Sequence, residues 1–201
     1  MSLAVVATVF VLIVPAELPD KTFIASLVLA TRFRGGQVLI GAALGFGVQA
    51  AIAVGAGSVV SLLPRTPVLA VSAAIFALGA VLMVRENKDP REEQHEVEEE
   101  IAELPPEPSA RRVIATSFLV LFLAEWGDLT QLLTASLSAK YHQPASVFVG
   151  AFAGLVLVAA VAVTGGKALL RMIPLVWVRR LAAAAFAAVA VFTALEAAGI
   201  G

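Results

Sequence analysis

Long apolar runs separated by short polar breaks make up most of this chain. Six of them stand out, at about Ala4–Ala30, Gln37–Leu63, Pro67–Val84, Val113–Ala139, Ser146–Leu170 and Leu175–Ala198. Each is near the ~20 residues that a helix needs to cross a bilayer. Most breaks are brief, such as Thr31-Arg32-Phe33-Arg34-Gly35-Gly36 and Leu63-Pro64-Arg65-Thr66-Pro67. The third, Arg85–Arg112, differs: it holds ten of the fifteen acidic residues and belongs in water. Within it Asp89-Pro90-Arg91-Glu92 reads as a capped helix start, and Pro105-Pro106 as its stop. Val97, Ile101 and Leu104 give that helix only a thin apolar stripe, so a solvated acidic linker is a better reading than a docking element. The pattern divides the chain into three spans over 1–84, a linker over 85–112 and three spans over 113–201.

Composition strengthens the membrane reading. Sixty per cent of residues are apolar, 14% are charged, and the mean hydropathy is +0.93. A soluble domain fills its core with about half apolar residues, so the excess here faces lipid. A net charge of −1 leaves no basic field for nucleic acid. Without cysteine there is no disulfide, thiolate metal site or cysteine nucleophile. No basic segment precedes the first apolar run, which disfavours a cleaved signal peptide.

The basic residues alternate in sidedness. Arg32, Arg34, Arg85, Lys88, Arg91, Arg111, Arg112, Lys167, Arg171, Arg179 and Arg180 fall at one set of connections, and only Arg65 and Lys140 at the other. The positive-inside rule then predicts both termini outside, the acidic loop in the cytoplasm, and a multi-pass protein of the plasma (inner) membrane.

The two halves also resemble each other. A shift of 108 residues lays Phe10 on Phe118, Ala16 on Ala124, Glu17 on Glu125, Asp20 on Asp128 and Thr22 on Thr130, with Ser26 near Thr134. One residue further, Gly41-x-x-x-Gly45 meets Gly150-x-x-x-Gly154, a spacing suited to close helix packing. Three spans per half force the second half to insert upside down. The predicted fold is therefore an all-α integral membrane protein, six helices in two inverted three-helix repeats, with its site near midplane.

Outside the linker only Glu17, Asp20, Glu125, Asp128 and Glu196 are acidic. Four of them form a duplicated Glu-x-x-Asp, whose spacing of three places both carboxylates on the same helix face. A charge at such depth costs at least ~2.5–3.5 kcal/mol, which something positive must offset. Inversion brings the motifs together, with neutral oxygens from Thr22, Ser26, Thr130, Gln131 and Thr134 nearby. An all-oxygen shell suits Ca2+, Mg2+ or Mn2+; zinc or copper would want His or Cys. His95 and His142 fall in aqueous segments. Pro15, Pro19 and Gly127 loosen the helices beside the motifs, and carbonyls freed there can line an ion cavity. Lys21 reads as a tuning charge, Glu196 as an interfacial residue and Gln49 as polar packing.

Glu17-Leu18-Pro19-Asp20-Lys21-Thr22 and Glu125-Trp126-Gly127-Asp128-Leu129-Thr130-Gln131 resemble the twin Glu-x-Gly-Asp-(Lys/Arg)-(Ser/Thr) signatures of the transmembrane-protein-165 (GDT-one) family. The likeness covers essentially the whole chain. It implies a six-span exchanger that exports Mn2+, or Ca2+, for protons, with no cofactor and no enzymatic activity. Glu17, Asp20, Glu125 and Asp128 would be metal ligands, with Thr22, Thr130 and Gln131 supporting them. Pro19 in place of glycine and Leu129 in place of a basic residue depart from the signature and leave the carboxylates intact. Three rival readings stand beside this one: a small-solute exporter of the amino-acid type, a divalent cation channel, and an intramembrane aspartyl protease. Repulsion of an amino-acid carboxylate, tight cation holding and the Glu beside each Asp weigh against them in turn.

Overall fold

The computed structural model describes residues 1–18, 20–85, 98–99, 109–172 and 175–200, without the side chains of 167–172, 175–176 and 179. Among them lie α1 (Leu3–Glu17), α2 (Lys21–Arg32), α3 (Gly35–Val60), α4 (Arg65–Arg85), α5 (Ala110–Ala124), α6 (Leu129–Tyr141), α7 (Pro144–Met172) and α8 (Leu175–Ala197). The described residues contain no strand. Pro19, His95 and the capping box and Pro-Pro stop of the linker lie outside the described residues.

Four helical stretches, Gly35–Val60, Arg65–Arg85, Pro144–Gly166 and Arg180–Ala197, are long and apolar enough to cross a membrane. Their ends fall within a few residues of the expected runs, because proline and glycine mark them: Pro144 opens α7, and Pro67 sits in the first turn of α4. Their outer faces carry bare hydrocarbon, with Val59 67%, Val71 59% and Phe192 64% exposed. A surface of that kind belongs against lipid.

The first and fourth runs differ from continuous helices. α1 and α2 meet at a bend of 68°, and α5 and α6 at 74°; counting each bent pair as one span gives up to six. Both breaks fall within Glu-x-x-Asp. At each, the Asp backbone N–H donates to the Glu carbonyl, Asp20 to Glu17 at 3.1 Å and Asp128 to Glu125 at 3.2 Å. Gly127 adopts φ 76°, a left-handed conformation that costs glycine little. Glu and Asp therefore do not share one helix face: each Glu ends one helix, and each Asp occupies the N-cap position of the next.

Straight helices splint the broken ones. α3 lies along α5 and then α6: a Cβ on Gly41 would stand 2.6 Å from the Ile114 carbonyl oxygen, and one on Gly57 2.1 Å from that of Ala135. α7 lies along α1 and then α2, with Gly150 against the Val6 carbonyl, Gly154 against Ile13 and Gly166 against Leu27. Each long helix thus supports the broken pair from the other half of the chain. α4 and α8 pack antiparallel beside this group, with Phe76 stacked on Phe186 at 6.4 Å.

At one end Arg65 reaches Glu196 Oε1 at 2.5 Å, while Lys140 lies 3.5 Å from Glu196 Oε2 and donates to Thr193 Oγ1 at 2.5 Å. Glu196 is thus the hub of a contact joining α4, α6 and α8, a role that its place near the end of an apolar run does not reveal.

Candidate metal centre

Glu17 and Glu125, the last residue of α1 and the C-cap of α5, are 1% and 2% exposed. Asp128, the N-cap of α6, completes a group in which one oxygen of each carboxylate lies within 4.8 Å of the others. Oxygens bound to a common Ca2+ at 2.3–2.6 Å stand at most about 5 Å apart, so this spacing matches what one divalent cation can bridge.

A threonine from the following helix ties each break. Thr22 Oγ1 donates to Glu17 Oε2 at 2.6 Å, and Thr130 Oγ1 lies 3.2 Å from both Glu125 Oε2 and Asp128 Oδ2. The other oxygens, Glu17 Oε1 and Glu125 Oε1, are buried with no hydrogen bond. Buried carboxylate oxygens are normally satisfied, and leaving two bare in one cluster is costly unless a cation or proton serves them. Neither Asp20 nor Asp128 caps its helix with its side chain, which leaves Asp128 turned to the cluster instead.

Asp20 stands apart from the tight group. With Asp128, Thr130, Lys21 and Arg85 it lines a cavity of about 400 Å³ that leads to the cluster from the Arg85 end. His142 lies at the other end, with Arg65, Lys140 and Glu196.

Gln131 does not offer its oxygen freely. The Gly127 N–H donates to Gln131 Oε1 at 2.9 Å, Gln131 Nε2 donates to Gln49 Oε1, and Gln49 Nε2 donates to the Phe122 carbonyl at 2.6 Å. The reason is local. Where α5 ends, the Trp126 N–H turns to Leu123, and the Phe122 carbonyl takes its hydrogen from Gln49. In the first half the matching Val14 carbonyl accepts from the Leu18 N–H and needs no such help. Gln49 is therefore more than polar packing; its signal in the sequence is an amide in the middle of a Gly/Ala-rich run. Gln49→Leu is expected to destabilise the fold by about 1–3 kcal/mol, because it strands the Phe122 carbonyl and the Gln131 amide. Thermal unfolding in detergent measures this.

The family model described as divalent cation/proton antiporter GDT1 matches residues 5–91 and 113–200. The chain is 31% identical over 165 residues to GDT1-like protein sll0615 of Synechocystis sp., covering 78% of this chain and 80% of that protein. It is 28% identical over 176 residues to GDT1-like protein 3 of Arabidopsis thaliana, covering 80% and 60%. Protein PAM71, chloroplastic, of the same plant is 30% identical over 182 residues, covering 81% and 49%. The chain thus spans half to three fifths of these two plant relatives. No solved structure matches it. Matched in both halves, and with its paired acidic motifs inside the matched segments, this chain belongs to the GDT1 family of divalent cation/proton antiporters.

Proposed function

We propose that this protein exports Mn2+ in exchange for protons, with Ca2+ the alternative cargo, and that Glu17, Glu125 and Asp128 hold the ion. Asp20 receives it at the cavity wall, Thr22 and Thr130 add hydroxyl oxygens, and Gln131 braces the second break. The observation that carries the reading is the pair of bare, buried Glu oxygens inside a three-carboxylate cluster. Three carboxylates, two hydroxyls and one water make six oxygens, which suits Mn2+ and sits at the low end of what Ca2+ takes.

Proton coupling follows from shared ligands. Carboxylates crowded away from water take up protons when no cation balances them, and a divalent cation must displace those protons to bind. Family membership in a transporter group sets aside the protease, and a shared cation and proton site disfavours the amino-acid exporter and the channel.

The architecture we propose is two inverted three-helix repeats over 1–84 and 113–201, joined by a linker over 85–112. The motif repeat and the reciprocal splinting by α3 and α7 support it. Rocking of one repeat against the other would expose the cluster alternately to each side.

Isothermal titration of the purified protein with Mn2+ and with Ca2+ tests the cargo. Tighter Mn2+ binding is expected, and a clear preference for Ca2+ would reverse the choice.

We also propose a plasma-membrane location and, on the eleven-to-two charge asymmetry, an orientation with both termini outside and the Arg85–Arg112 loop in the cytoplasm. Single cysteines at Ser2 and Glu99 should label from opposite sides with an impermeant reagent. Labelling of both from outside would end this topology.

A further inference from the structure

A second cavity, of about 450 Å³, runs between α4 and α8 on the surface that faces lipid. Its walls are small and apolar except for Arg85 and Arg180, and no carboxylate lines it among the described residues. On α8, Arg180, Ala183, Ala184 and Ala187 recur at helical spacing and so share one face. On α4, Ala80 and Val84 supply the facing wall, and Arg85 is the last residue of the helix. The antiparallel packing therefore brings both arginines to the same end of the groove.

That end lies at headgroup depth. Trp177, one turn before Arg180, is 62% exposed, and its ring lies 5.4 Å from the Arg180 guanidinium. Tryptophan at a helix end beside arginine marks the membrane–water boundary. Two like charges at the mouth of an apolar groove repel each other, and a phosphate shared between them offsets both.

We propose that this groove seats one anionic phospholipid, an acyl chain along the alanines and the phosphate between Arg85 and Arg180. Arg85 also lines the cavity that leads to Asp20 and Asp128. A phosphate on Arg85 would therefore lessen the positive charge that an entering divalent cation meets. The assignment rests on the reading of the chain as a membrane protein, not on the carboxylate cluster.

The test is native mass spectrometry of the detergent-purified protein offered equal amounts of phosphatidylglycerol and phosphatidylcholine. One retained phosphatidylglycerol is expected, preferred about tenfold or more, since each arginine near the surface adds to anionic-lipid binding. The Arg85→Gln, Arg180→Gln double variant should lose that preference. Ala184→Phe, which fills the groove and leaves the charge alone, should lose the lipid itself. Arg112→Gln should retain it, and so should Glu125→Gln, which removes the cation site. Equal retention of both lipids by the wild type, undiminished preference in the double arginine variant, or loss of the lipid in Glu125→Gln would each overturn the assignment.

Discussion

Glu125→Gln is expected to weaken Mn2+ binding by at least ~100-fold while leaving the protein folded and no less stable, and Glu17→Gln should do the same. Glutamine keeps the shape and one oxygen, and removes a charge that faces a divalent ion across a few ångströms of low-dielectric space. Attraction over that distance is worth several kcal/mol or more, so one neutralised ligand suffices. The stability effect has the opposite sign. The cation-free protein carries Glu17 Oε1 and Glu125 Oε1 buried without partners, so each glutamate must either hold a bare charge or take up a proton there, and a permanently neutral amide avoids both costs. Calorimetric titration reads the first effect, and thermal unfolding of the cation-free protein the second. Lost binding together with a collapsed fold would point to a structural role for these residues. Retained binding would remove them from the site.

Gly57→Val should be the most damaging single change away from the cluster. A Cβ at this position would stand 2.1 Å from the Ala135 carbonyl oxygen and 2.7 Å from Ser138 Cβ. The first of these is backbone, which no side-chain rotation relieves. Ser138 Oγ in turn donates to the Val54 carbonyl at 3.1 Å, so spreading α3 from α6 also breaks that bond. Overpacking of this kind costs about 1–3 kcal/mol and sometimes more. It also withdraws α6, whose N-cap is Asp128, from its support. Two residues earlier, a Cβ on Gly55 would meet nothing within 4 Å, and Gly55→Ala should be neutral or stabilising by up to ~1 kcal/mol. Unfolding temperatures of the two variants in detergent, compared with wild type, check both signs. Equal behaviour of the two would refute the close approach.

Much of this was legible in the sequence because lipid enforces a simple code. An apolar run near ~20 residues has few options other than a span, and the runs that became α3, α4, α7 and α8 end close to where proline, glycine and arginine mark them. The acids stood out for a related reason, because carboxylates are rare within apolar runs, and of these the structure brings Glu17, Glu125 and Asp128 together. The sharp bends were harder to read. Hydropathy stays high across Ala4–Ala30 and Val113–Ala139, so the pattern alone suggests continuous helices. Only Pro15, Pro19 and Gly127 hinted at the breaks. Contacts between distant segments were out of reach. Gln49 meets Phe122 and Gln131 only because α3 lies along the break of the other half. Lys140, Arg65 and Glu196 come together only where α4, α6 and α8 converge.

Whether one carboxylate cluster carries both the cation and the exchanged protons can be read in sealed liposomes. Purified protein is reconstituted with a pH-sensitive dye trapped inside, and Mn2+ is added outside. Protons should leave as Mn2+ enters, and the Glu17→Gln, Glu125→Gln double variant should move neither. Mn2+ entry without any change in internal pH, or full exchange by the double variant, would contradict a shared site.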